Sequence, residues 1–427
     1  MLLIKCDGKQ PLEETDALHK LLERRLCNIS DGSEQLSDRQ RLRLYPNRYF
    51  AAMNLEITSK CNYNCLHCFN AADLSPLQSE LTWDECEHLL DEAQGCGIAE
   101  FTITGGEPML HPHFMDILRG IYSRDMFVSE LNTNGSFITD ETLLEMKSFG
   151  CKPTMKISFD GIGCHDIMRG RKGAENDALR AIRLCIEHGF TVMAQINVNR
   201  LNLASMRPTL ELLDELGVCS ARLIRTSESP RWLQTSAQLC EGGGCLSFAE
   251  HYDAMLALAE SYIQNAHKMS LNIWQFMRVY PAAKKYSPEA NLCANNDYSD
   301  NLPLCVGNRH MTGVTADGEI VPCLQMSGYY SQKGISLGNV KSTPLASLLS
   351  GGKYIDGVCT RVTSLQERNE ICRACQFWQQ CRGGCRALGT AITNDRMGAD
   401  LSKCIYYKGR YIEKTDEVMS RCGYERT

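Results

Sequence analysis

From about residue 51 the chain alternates between two hydrophobic periods. Short runs at 53–58, 100–104, 128–132, 155–159, 192–198 and 221–225 are apolar and flanked by turn residues, and they read as strands. Between them, apolar residues recur three and four apart at 83–94, 114–122, 141–149, 177–187 and 206–216, the spacing of a helix with one buried face. Thr82 followed by Glu85 is a capping-box pair and fixes one helix start. Strand–helix units repeated about six times predict an α/β fold with a parallel sheet, open or barrel-like. In such folds the chemistry gathers where the strands end, so the residues after each strand are the candidates.

Outside this region the pattern changes. Residues 1–50 form an N-terminal extension with a short apolar start, a helix over 13–26 and a polar stretch at 30–40. A helical bridge is expected over 236–290, with its main helix at 248–267. Beyond about 290, glycine, cysteine and short turns replace the alternation, and 291–405 reads as a loop-rich domain held by metal rather than by a core. Residues 406–427 close the chain with a helix, leaving 51–235 as the catalytic domain.

Composition sharpens this picture at one point. The 427 residues are 43% hydrophobic and 22% charged, near the globular average, and the net charge of −6 gives no general attraction to nucleic acid or anionic lipid. No apolar run reaches the ~18 residues of a membrane span. The start, Met1-Leu-Leu-Ile-Lys-Cys-Asp, is too short for a secretory core, so a cytoplasmic location is expected. The 23 cysteines are the anomaly. A disulfide scaffold would be small and secreted, so these cysteines point to metal or redox chemistry.

Three of them follow the first strand in the run Cys61-Asn-Tyr-Asn-Cys65-Leu-His-Cys68-Phe69. Three thiolates so close, on one loop at a strand end, suit three irons of a [4Fe–4S] cube and leave the fourth iron open. Zinc would want a closed set of four ligands, and no fourth is near. Downstream stand Cys305-x12-Gly318-x4-Cys323, then Cys372-x2-Cys375-x5-Cys381-x3-Cys385, then Cys404. Cys86, Cys96, Cys151, Cys164, Cys185 and Cys219 have no ligand spacing and read as core thiols. The glycine-rich Cys240–Cys245 stretch reads as a surface loop.

The first triad resembles the hallmark of radical S-adenosylmethionine (SAM) enzymes, and further stations of that family stand at successive strand ends over about 51–230. Gly105-Gly106-Glu107-Pro108, after the second strand, is similar to the motif that holds the SAM methionyl amine. Asn132-Thr-Asn134-Gly135 follows the third, and Ser158-Phe-Asp160-Gly161 the fourth, where Ser158 resembles the ribose-contacting serine. Arg180 lies where relatives place an arginine on the SAM carboxylate. His67 sits where relatives place an aromatic beside the adenine, and Phe69, after the third cysteine, is counted with the SAM-binding residues, as are Asn132 and Asp160. The resemblance implies a partial (β/α)6 TIM-type barrel that splits SAM reductively to a 5′-deoxyadenosyl radical.

The later cysteines resemble the SPASM domain of radical SAM enzymes that modify peptides. By that resemblance Cys305, Cys323 and Cys385 would hold one auxiliary cluster, and Cys372, Cys375, Cys381 and Cys404 a second, for three [4Fe–4S] clusters in all. The first auxiliary set is one ligand short. Sulfatase-oxidising relatives carry an eighth cysteine where this chain has Met311. Either Cys293 supplies the thiolate, another cysteine does, or an iron stays open to substrate; Cys293 is the choice tested below.

The expected activity is that of a peptide maturase, which abstracts hydrogen from a ribosomally made precursor peptide and closes a C–C, C–O or thioether cross-link. An electron donor of flavodoxin or ferredoxin type is implied. Fifty N-terminal residues are too few for the leader-binding domain of many such maturases, so leader capture, if any, would need a separate leader-binding protein or another surface. A formylglycine-generating oxidase, a peptide epimerase and a small-molecule oxidase are the alternatives, and a non-catalytic Fe–S carrier leaves the SAM stations unexplained. No catalytic side chain is assigned by sequence.

Overall fold

The computed structural model describes residues 2–6, 8, 10–31, 45, 47, 49–68, 79–240, 243–288, 302–305 and 307–427. Phe69 and Cys293 lie outside the described residues.

Six parallel strands form the centre: β1 (Ala52–Glu56), β2 (Glu100–Thr104), β3 (Phe127–Thr133), β4 (Thr154–Ser158), β5 (Val192–Val198) and β6 (Ser220–Arg225). Each is followed by at least one helix, as in Trp83–Cys96 after β2's predecessor and Ala174–Glu187 after β4. The Thr82–Glu85 capping box is present, with both reciprocal hydrogen bonds made. The alternation of buried and half-buried positions is clearest in the fifth strand. In β5, Val192, Ala194, Ile196 and Val198 are buried while Met193, Gln195 and Asn197 are half-buried. The apolar set packs with the helices into one large core, joined by Met53, Leu55, Phe101, Ile103, Met155 and Ile157. The other face of the sheet, the inside of the partial barrel, therefore carries polar residues.

The sheet is longer than the six repeats predict, and it is not closed. Its order is β11-β10-β1-β2-β3-β4-β5-β6-β7-β8-β9-β12. The region expected as a helical bridge holds the helix Phe248–Ile263 but also β7 (Ser270–Ile273), β8 (Met277–Tyr280) and β9 (Lys285–Pro288). Ser270-Leu-Asn-Ile alternates exposure with period two, which is the strand signature in a run only four residues long. β10 (Met311–Val314) pairs parallel with β1, Ala52 opposite Met311, and antiparallel with β11 (Ile320–Val321).

The cysteine-rich region is also more helical than its composition predicts. Short helices such as Leu345–Ser350, Val362–Arg368 and Arg386–Thr393 replace the expected loops. They enclose two small apolar clusters, one around Leu304, Val362, Leu365 and Trp378, the other around Val321, Met326 and Tyr330. The expected closing helix is two, Leu401–Lys408 and Tyr411–Arg421, followed by β12 (Glu425–Arg426). Tyr406 and Tyr411 pack their rings on Tyr252 and Phe276, fixing the C-terminus to the barrel. Among the described residues no helix is long and apolar enough to cross a membrane.

Candidate functional site

The loop after β1 carries Cys61, Cys65 and Cys68 and touches the ends of three further strands in turn. At β2, Gly106 N–H donates to the Thr58 carbonyl (2.7 Å) and Glu107 N–H to the Lys60 carbonyl (2.8 Å). A Cβ on Gly106 would lie 2.2 Å from the Lys60 oxygen, so only glycine allows this approach. At β3, the Asn134 amide donates to Asn62 Oδ1 (2.9 Å), and the Asn62 amide to Ser136 Oγ (2.9 Å). Beyond β4, Asn64 N–H reaches the Arg169 carbonyl (3.3 Å) and Leu66 N–H the Met168 carbonyl (2.9 Å). Arg171 lies over the Tyr63 ring, and the Tyr63 hydroxyl meets Asp177 at 3.2 Å.

The predicted residues take up definite places around this loop. Glu107 is fully buried; its carboxylate accepts from Thr133 Oγ1 (2.8 Å) and from Asn134 N–H (2.8 Å). Burial pushes its pKa up to about 7, against the pull of those donors. Pro108 opens a one-turn 3-10 helix whose Met109 N–H Glu107 also caps. Asn132, on β3, has a buried Oδ1 without a hydrogen-bond partner among the described residues. Ser158 is the last residue of β4 and is half-buried. Arg180 donates to the Ile138 carbonyl (2.5 Å) and the Ser136 carbonyl (3.1 Å), holding the turn after β3. Asp160 is enclosed by protein. Its carboxylate accepts from Asn197 N–H (2.9 Å), pairs with Arg169 Nε (2.8 Å), and lies 3.5 Å from His67 Nε2.

Cys65 and Cys68 pack beside Tyr63 and Ala174, with Cys61 in electrostatic reach of both. Burial pushes the Cys61 thiol up to about 12 and Cys65 upward as well, so iron binding must displace their protons. The downstream thiols form two groups. Cys305, Cys323 and Cys385 feel one another's charge, and Cys372, Cys375 and Cys381 each feel or are felt by Cys404 or its neighbours. Cys372, Cys375, Cys381 and Cys404 all line one small cavity with Trp378 and Tyr407. Among the described residues no three His, Cys, Asp or Glu side chains converge on a point suited to a single ion. A cube with an iron at each corner takes its thiolates from a wider spread, so these donor sets fit clusters.

Between the first loop and the auxiliary thiols lies the inner wall. Lys156 of β4 is paired with Glu130 of β3 at 2.5 Å, and Arg222 of β6 stands over Trp274. Arg222 is close enough to Cys323 to favour its thiolate. Sequence reasoning did not single out Asn62, Thr133, Arg169, Lys156 or Arg222. Thr133 lay inside a quoted motif; for buried Arg169 and Lys156 no local signal exists.

Comparison with known proteins agrees with this geometry. The Radical SAM superfamily matches residues 55–213, and the SPASM iron-sulfur cluster-binding domain matches residues 305–376. The AdoMet-dependent heme synthase of Methanosarcina barkeri is 27% identical over 363 residues, covering 83% of this chain and 96% of its own. The PqqA peptide cyclase of Granulibacter bethesdensis is 22% identical over 344 residues, covering 80% and 83%. Among solved structures, Streptococcus suis SuiB bound to precursor peptide SuiA has a TM-score of 0.62 at 14% identity, covering 87% of this chain and 83% of that one. The chain is a radical SAM enzyme with a C-terminal SPASM domain. Its radical SAM domain binds SAM and a [4Fe–4S] cluster, and its SPASM domain binds auxiliary iron–sulfur clusters.

Proposed function

We propose that this enzyme is a peptide maturase that oxidatively cross-links a ribosomally made precursor peptide. The observation that carries the reading is the pair of auxiliary thiol groups beyond the SAM loop, which equips the chain to accept electrons after hydrogen abstraction. Cys61, Cys65 and Cys68 hold the SAM-binding cluster. Glu107 holds the methionyl ammonium, Ser158 the ribose, and Asn132 offers its free oxygen to the same cavity. When bound, cluster and SAM supply a one-electron cleavage that lets a hydrogen atom be taken from an unactivated carbon. The protein's part is to orient the two partners and exclude water, which the buried Glu107–Thr133–Asn134 contacts and the pinned loop achieve. The unclosed sheet leaves a side through which a polypeptide can enter. The likeness to a peptide cyclase supports the substrate class. A flavodoxin- or ferredoxin-type donor would supply the electron.

A second reading, oxidation of a heme-type macrocycle, is favoured by the heme synthase relative. Lys156 and Arg222 on the inner wall would suit its carboxylates. The deciding experiment gives reconstituted enzyme, SAM and dithionite either a candidate precursor peptide, taken from any short reading frame beside the gene, or an iron coproporphyrin. The peptide should lose the mass of two hydrogens. Turnover of the porphyrin with none of the peptide would replace the first reading by the second.

A further inference from the structure

Arg169 is a buried cation beside the cluster loop, held between a cysteine of that loop and a buried carboxylate. It ends the short helix His165–Arg169, only 7% exposed, and Nη1 donates to Cys65 Sγ at 3.8 Å. On its other side Nε pairs with Asp160 at 2.8 Å. The backbone is fixed here as well. Gly170 adopts φ +61°, and a Cβ there would sit 2.4 Å from the Asn64 carbonyl, so the helix end lies flush on the cluster loop.

The charges around this point can be counted. His165 accepts the Asp160 N–H at Nδ1 (2.8 Å), and burial with the neighbouring Arg169 charge lowers its pKa to about 3, so it is neutral. Burial opposes the Asp160 carboxylate, but Arg169 together with the neighbouring histidines and the Asn197 N–H holds Asp160 below the usual carboxylate range. Arg169 and Asp160 form the buried ion pair at this point, and the cation is the one in contact with the cluster ligand.

We propose that Arg169, positioned by Asp160, sets the reduction potential of the SAM-binding cluster through its contact with Cys65. The proposal rests on Cys61, Cys65 and Cys68 holding that cluster. Taking up one electron from an external donor changes a [4Fe–4S] core from 2+ to 1+ and makes the thiolate-ligated site more anionic by one charge. A guanidinium within hydrogen-bond reach of a ligand sulfur favours that added charge, and does so strongly in a buried, low-dielectric setting. Arg169 remains a cation in both states. Asp160 opposes the effect in part while fixing where the guanidinium lies. Arg169 is thus a positioning and tuning residue for the cluster, acting through Cys65.

The two partners must therefore shift the potential in opposite directions. Arg169→Gln removes the cation and leaves Asp160 facing the cluster, so the potential should fall. Asp160→Asn removes the anion and leaves the guanidinium uncompensated, so the potential should rise. Arg169→Lys keeps the charge and should restore most of the wild-type value. The measurement is an EPR-monitored dithionite titration of reconstituted full-length protein at pH 8, with the auxiliary clusters as internal standards. Iron content is measured first, and an intact first cluster in wild type and variants separates this test from failure of the ligand assignment. Opposite shifts with rescue by Lys support the proposal. Shifts of the same sign, or none, in variants that retain the first cluster overturn it. If Arg169→Gln assembles no first cluster, Asp160→Asn and Arg169→Lys decide alone: a rise in the first with little change in the second supports it, and any other pair of results overturns it.

Discussion

Replacing Glu107 by Gln tests how SAM is held, and the structure sets the size of the effect. The carboxylate is fully buried and already accepts from Thr133 and Asn134. Gln keeps an oxygen for one of those donors but loses the charge proposed above to hold the methionyl ammonium. A hydrogen bond to a charged group is worth ~1.5–3 kcal/mol, so the Kd for SAM should rise by about one to two decades. Glu107→Ala should do at least as much and also leave two buried donors unmet. The pH dependence supplies a second, independent signature. Burial raises the pKa of Glu107 from 4.5 to about 7, and only the ionised form attracts the ammonium. Between pH 8 and pH 6 the ionised fraction falls from about nine-tenths to about one-tenth, so wild-type affinity should weaken about tenfold. Stability runs the other way. Because the folded pKa lies above the unfolded one, the cost of ionising Glu107 is absent below pH 4.5 and complete above about pH 7. Equilibrium dialysis of SAM against oxidised, cluster-loaded enzyme from pH 6 to pH 8 measures both effects. A Glu107→Gln variant with wild-type Kd and wild-type pH slope would refute the assignment.

Three further outcomes are expected. Changing Cys61, Cys65 and Cys68 together to Ala should remove about four of about twelve irons and abolish 5′-deoxyadenosine release; continued release under dithionite would sink the first-cluster assignment. Gly170→Ala forces a Cβ into the Asn64 carbonyl at φ +61° and should cost ~1–2 kcal/mol or more. Its Tm should drop and its first cluster should lose iron faster in air, and an unchanged Tm contradicts the packing described. Cys293→Ala should change the spectrum and iron content of the first auxiliary cluster, while substrates lacking cysteine are still turned over. If both signals stay as in wild type and only cysteine-containing peptides react, the open-iron alternative takes its place.

The barrel was legible because its signals are local. β2 and β5 begin and end where their apolar runs do, and the helix Trp83–Cys96 starts at the capping box that Thr82 and Glu85 announce. The chemistry-bearing turns were legible for the same reason, each following a strand that the pattern locates. β7, β8 and β9 were missed because four-residue strands beside a long helix give period two too little length to register. The helix His165–Arg169 was missed because five residues between glycines make barely one turn. Arg169 could not be read at all. A buried arginine is stable only if partners meet it, and here one partner is Asp160 and the other is Cys65, 104 positions away. Composition also misled beyond residue 290. Glycine and cysteine there terminate short helices rather than form open loops, as at Gly383 and Gly384 before the helix Arg386–Thr393.

The pairing of β10 with β1 has a consequence for how the protein is made. β1 carries the cluster loop at its end, yet one of its two neighbours in the sheet is Met311–Val314, which emerges from the ribosome long after residue 52. Until then β1 is an edge strand with unmet backbone groups, open to mispairing. A contact spanning that much chain closes slowly. Once made, it ties the segment between Cys305 and Cys323 directly to the strand that leads to Cys61. Iron delivered before this closure would meet a loop without its final support. Cluster insertion should therefore follow completion of the chain, and truncation before residue 311 should yield protein that aggregates rather than a free-standing radical SAM domain.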